Sequence, residues 1–174
     1  MTRTYLKPCG VLSAAALALV LGACAGGVDT TDMPVEQLDI RDHERADTCD
    51  GDARQVRVTV PNVTAGGILT VEVYGRDPDD FLETAGRVRR VRVAAEEGPQ
   101  TVCQGIDEDG PFGVAIYHDQ NGNRTMDRNF IGIPREPFGL SNNPRLRLAR
   151  PKFEDSRFDL PDDGVDLEVE LQRY

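Results

Sequence analysis

From His118 to Pro134 the chain reads HDQNGNRTMDRNFIGIP, and oxygen-bearing side chains recur there at a spacing that suits a hard cation. Asp119, Asn121, Asn123 and Asp127 stand at positions 1, 3, 5 and 9 of a calcium-loop register, with the carbonyl of Thr125 at position 7. Ca2+ takes roughly six to eight oxygens, and one tight loop can deliver several of them. The register departs from the EF-hand pattern twice, with Arg124 at the glycine position and Phe130 at the position of the bidentate glutamate. A bound cation would therefore draw a further carboxylate from Glu136, Glu154 or Asp155. The same letters also have a purely structural reading. Asn121 and Gly122 suit the centre of a two-residue type I′ hairpin turn, with Asp119 and Asn123 fastening it to backbone amides.

A second group lies downstream. Between Phe130 and Phe158 the chain places Pro134, Pro137, Pro144 and Pro151 around Ser141, Asn142 and Asn143, with little strand character. Long irregular segments in a compact domain are usually functional. One reading makes Phe138, Ser141, Asn142, Asn143, Glu154 and Asp155 a surface for an envelope protein or a glycan. The other makes the segment a packed plug whose Asn side chains satisfy backbone groups.

Catalytic chemistry finds few parts. The chain has two histidines, His43 and His118, and no GxSxG elbow. Two histidines and a few cysteines do not make a zinc site. The expectation is a non-catalytic module. The alternative is an envelope hydrolase using His118, Asp119 and the Ser141 to Asp155 loop.

The segments that must position these residues follow from the N-terminus. Arg3 and Lys7 precede the apolar run VLSAAALALVLGAC, which is too short to span a bilayer and ends in small residues, as a signal peptide does. Leu21, Gly22, Ala23 and Cys24 resemble the lipobox of bacterial lipoproteins, so cleavage is expected after residue 23 and lipidation at Cys24. The expected location is the cell envelope, anchored by acyl chains. Ala25 after the cysteine resembles the signal for the outer membrane.

Residues 24–48 read as the lipidated cysteine and an acidic, disordered tether, and residues 49–174 as one domain. With Lys and Arg at 20, Asp and Glu at 30 and a formal net charge of −10, the chain is a poor partner for nucleic acid or anionic headgroups. Of the four cysteines, Cys49 and Cys103 remain outside the leader and the lipidation site, and they are expected to pair in an oxidising compartment.

From Gln55 the hydrophobic pattern has period two. Val56, Val58 and Val60 share a face, as do Leu69, Val71 and Val73, and as do Val165, Leu167, Val169 and Leu171. Further strands are expected at Val88–Val93, Thr101–Cys103, Phe112–His118 and Arg145–Leu148. The segment RVRRVRV is read as a solvated strand face opposed by acidic positions. One short helix is expected after Asp77, with Pro78 at its first position and Gly86 closing it. The sum is an all-β, antiparallel, immunoglobulin-like or prealbumin-like sandwich of about seven strands.

The motifs HDQNGN, NFIGIPREPFGLSNN and FED, followed by the terminal alternating strand, resemble the bacterial family catalogued as domain of unknown function 2141. The resemblance spans roughly Gln55 to Leu171. It implies a small exported sandwich and supplies no activity. Members of that family commonly carry a glycine after HDxNGN, where this chain has Arg124.

Overall fold

Alternating valines and leucines cannot bury their apolar edge alone, and the chain resolves this by stacking two sheets. The computed structural model describes residues 38–75 and 77–174. The expected signal peptide, the lipobox at Cys24 and the first part of the tether lie outside the described residues. Among those residues no helix is long and apolar enough to cross a membrane.

The strands are β1 (Gln55–Val63), β2 (Ile68–Tyr74), β3 (Arg87–Ala94), β4 (Gly98–Gly105), β5 (Pro111–Asp119), β6 (Phe138–Leu140), β7 (Arg157–Asp159) and β8 (Val165–Glu168). One sheet has the order β4-β1-β8; the five-stranded sheet runs β3-β2-β5-β6, with β7 also pairing with β5. Val56, Val58, Val60, Leu69, Val71, Val73, Val91, Val114 and Val169 meet between the sheets. The all-β sandwich is thus as the period-two pattern implies.

Four details differ from the sequence reading. The sandwich is not wholly antiparallel, because β8 pairs parallel with β1, Val56 opposite Val165 and Leu167 opposite Val58. Arg145–Leu148 is not a strand, whereas the three-residue β6 and β7 are. After Asp77, whose side chain accepts the Asp79 amide, only the 3₁₀ turn Pro78–Asp80 forms, and the α-helix is α1 (Phe153–Ser156). The alternation of the last strand outlasts its pairing. Past Glu168 the ladder ends, although Val169 still donates to the Thr59 carbonyl and Leu171 bonds the Asn62 side chain of β1; the chain then bridges Phe138 with Gln172, passing so close to Gly139 that a Cβ there would meet the Glu170 carbonyl at 2.3 Å.

The disordered tether is corrected at its C-terminal end. Leu38 is buried, Asp42–Glu44 forms a 3₁₀ turn, and Asp47 pairs with Cys103. Buried charge explains the docking. Glu44 is 4% exposed and forms an ion pair with Arg92, itself 2% exposed, and with Arg124 at 2.9 Å. The Cys49–Cys103 disulfide then ties the strap to β4 with a Cα–Cα distance of 5.2 Å. In the chain-entropy model, closing 54 residues of separation stabilises by roughly 4 kcal/mol.

Candidate functional site

Every second residue of β2, Thr70, Glu72 and Tyr74, points away from the inter-sheet core, and strand register decides what stands beside each. Arg92, Thr70, Tyr117 and Phe138 form one rung across β3, β2, β5 and β6. Arg90, Glu72, Ala115 and Leu140 form the next, and Arg87, Tyr74 and Gly113 the third. The last rung is covered by Phe81, which packs edge-to-face on Tyr74 at 5.4 Å, and Phe153 packs edge-to-face on Phe81 at 5.5 Å. Over the second rung the small side chain of Ala115 leaves a depression, and loops on both sides raise it into a groove of about 920 Å³.

The floor of the groove is charged. Glu72 is 6% exposed, and its Oε1 accepts from Arg87 at 3.2 Å and Arg90 at 2.5 Å, while Oε2 accepts from the Tyr74 hydroxyl at 2.6 Å. Burial, and then the Glu72 charge, push the Tyr74 hydroxyl well above its ordinary pKa, so it stays a donor. The walls are mixed. Leu82, Ile131, Ile133 and Leu148 line them beside Arg124, Arg128 and Arg150. Ile131 and Leu148 remain 64% and 80% exposed at the rim, an unusual state for large apolar side chains outside binding surfaces.

One wall is the loop that carries the acidic register, and its polar side chains are spent on its own backbone. Asp119 is fully buried and accepts the Asn123 amide at 3.1 Å and the Arg124 amide. Asn121 and Asn123 both donate to Asp127, at 2.7 and 3.1 Å, and the Asn123 side-chain oxygen accepts from the Thr125 amide and hydroxyl. Glu136 clasps the base of the loop by accepting the Gln120 and Asp127 amides, each at 3.1 Å. Burial, with help from Asp119 and Asp127, raises its pKa to about 7. Burial raises Asp119 as well.

Among the described residues no group of three or more His, Cys, Asp or Glu side chains is set to hold a metal ion. A cation at Asp119, Asn121, Asn123, Thr125 and Asp127 would first have to displace these internal bonds. The two-residue type I′ turn centred on Asn121 and Gly122 does not form. Gly122 donates to the Asp119 carbonyl, so Gln120 and Asn121 are the central residues, and the chain wanders until β6 before it pairs again with β5. Arg124 stands at φ +69, the left-handed region a glycine enters freely. Its ion pairs to Glu44 and to Asp39, the latter at 3.2 Å, offset that cost.

Of the surface expected downstream, only Phe138 lines the groove. Ser141 is fully buried, its hydroxyl accepting the Val114 amide at 2.9 Å and donating to the Ser156 carbonyl. Asn142 donates to the Arg157 carbonyl at 2.9 Å, and Asn143 bonds both the Glu168 carbonyl and the Glu170 amide. These three residues fasten α1 and β8 to the sheet, which answers the packed-plug reading. Glu154 and Asp155 are exposed on α1, outside the groove.

His118 is 1% exposed, and its ring nitrogens face the Gly66 carbonyl at 2.7 Å and Thr64 at 3.4 Å. Burial lowers its pKa, which disfavours the charged ring. Ser141 bonds Val114, four strand positions from His118 and so roughly 13 Å along β5.

Sequence reasoning missed the groove. The signal available was RVRRVRV, but its opposition to Glu72 exists only through the β2–β3 register. A family model described as an uncharacterized protein conserved in bacteria, DUF2141, matches residues 56–168. That span holds both sheets and the groove but leaves out the strap with Glu44 and Asp47. No curated protein and no solved structure matches the chain.

Proposed function

The chain belongs to this bacterial family, domain of unknown function 2141, and from that premise we propose that it is an exported, lipid-anchored, non-catalytic binding module of the cell envelope whose ligand site is the groove. The observation that carries the reading is a groove of about 920 Å³ over a buried Glu72 paired with Arg87 and Arg90. Ligand pockets typically measure about 300 to 1,000 Å³ and combine apolar walls with a few convergent polar groups. A sheet face built only for stability would bury apolar side chains there at lower cost.

The anchor rests on the resemblance of Leu21 to Cys24 to a lipobox. Two acyl chains suffice to hold an acidic domain at a bilayer, each buried methylene contributing about 0.8 kcal/mol. The outer membrane, with the domain in the periplasm, is the reading that Ala25 favours. Hydrolysis is the weaker alternative, because both nitrogens of His118 are engaged and Ser141 is buried beneath α1.

The test uses Thr84 and Ala149, exposed groove-lining residues whose replacement spares the core. Native mass spectrometry of the chain purified from envelopes should find a bound small molecule that Thr84→Trp with Ala149→Trp excludes. Equal loading of both proteins would remove the groove as the site, and turnover of a generic ester lost in His118→Ala would restore the hydrolase. Cys24→Ala should move the chain from the membrane fraction to the soluble one.

A further inference from the structure

Charge on the groove runs against charge on the chain. The whole sequence is at −10, yet the groove is lined by Arg87, Arg90, Arg124, Arg128 and Arg150 against Glu72 and Glu83. Arg124 is neutralised by the strap and Arg150 pairs with Glu83 at 2.9 Å. Arg87 and Arg90 share a single oxygen of a single carboxylate. Two guanidiniums against one Glu72 leave one positive charge in excess at the floor, on side chains 19% and 27% exposed. Each guanidinium has five N–H donors. Apart from those aimed at Glu72, the donors of Arg87 and Arg90 meet no partner among the described residues. Arg128, at the rim, holds only the Gly132 carbonyl, at 3.0 Å.

We infer that the groove takes a small anionic amphiphile, with its carboxylate or phosphate seated on Arg87 and Arg90 beside Glu72 and its apolar body against Leu82, Ile131, Ile133 and Leu148. The inference rests on the groove being a ligand site and adds the class of ligand. Guanidinium forks match planar and tetrahedral anions bidentately and are weakly hydrated, so they suit a floor partly withdrawn from water. An opening of one charge sign with low-dielectric walls concentrates anions that the acidic surface would otherwise repel. The apolar walls require the anion to carry a hydrophobic part, so inorganic phosphate alone binds weakly. Glu72 is the built-in competitor: it holds the arginines in place and lowers anion affinity.

The experiment is calorimetric titration of residues 25–174, which keep every described residue, with octanoate, octyl phosphate, 1-octanol, octyltrimethylammonium and inorganic phosphate. Octanoate and octyl phosphate should bind at least tenfold tighter than 1-octanol, and that preference should shrink with added salt. Arg87→Gln with Arg90→Gln should abolish the preference. Glu72→Gln should strengthen anion binding severalfold, a change in the opposite direction that no misfolded variant would mimic. Equal binding of octanol and the anions would overturn the anionic ligand and leave the groove as a binding site. Binding of none of the five would overturn both.

Discussion

The two faces of the five-stranded sheet are built from the same strands and obey different rules. On the inner face Leu69, Val71, Val73, Val91 and Val114 are fully buried against the other sheet and carry no polar side-chain atom. One strand position away, the outer face buries Glu72, Arg92, Tyr117 and, through the strap, Glu44. Desolvating such groups costs several kcal/mol per ion unless each is paired. Here Glu72 takes two arginines and a tyrosine, and Glu44 takes Arg92 and Arg124. The inner face explains why the sandwich is stable. The outer face gives up part of that stability to a charged floor, as the proposed ligand site requires.

The contrast predicts unequal responses to substitution. The largest loss is expected on the outer face, where Glu44→Ala leaves Arg92 buried without a counter-charge and should cost about 3 to 5 kcal/mol by urea unfolding. A loss below about 1 kcal/mol would mean that water replaces the strap freely. Leu69→Ala on the inner face should cost about 3 kcal/mol through lost transfer energy and a cavity, and leave ligand affinity unchanged.

A pH effect belongs to Glu136, at the base of the loop. The native Glu136 carboxyl titrates at about 7 against 4.5 for the free group, so between those values the folded chain holds a proton that the unfolded chain has released. Stability therefore falls as pH rises through that window, by about 3 kcal/mol. Glu136→Gln should remove this slope, which paired unfolding curves at pH 4.5 and 8 would read directly. The smallest effect concerns Arg124. At φ +69 glycine is favoured over alanine, so Arg124→Gly should unfold about 1 kcal/mol later than Arg124→Ala, although both lose the pair with Glu44.

Legibility in the sequence divides along the same line. Alternation marked Val56 to Val60, Leu69 to Val73 and Val165 to Leu171 because burial of one face writes period two into a single segment. The capping role of Asp77 was legible for a similar local reason. β6 and β7, three residues each, are too short to show a period. The Arg145–Leu148 stretch shows alternation without pairing, between Pro144 and Pro151.

The acidic register from Asp119 to Asp127 was visible, but whether its oxygens face a cation or the loop's own amides depends on backbone direction. The charged rungs were hidden for a further reason. RVRRVRV reads as solvated until β2 supplies Glu72 and residues 38–47 cover Arg92, so partners 18 and 48 residues away in sequence decide its environment. The groove itself is assembled from separated segments spread between Glu72 and Tyr174, and no one of them carries its signature.

The most direct measurement is a methyl-resolved NMR titration of residues 25–174 with octanoate. If the outer face is the ligand face, methyl signals of Ala115, Leu140, Ile131 and Leu148 should shift saturably while those of Leu69, Val71 and Val91 stay in place. Saturable shifts among the inner-face methyls, or no movement at Ala115 and Leu140 at saturation, would contradict it.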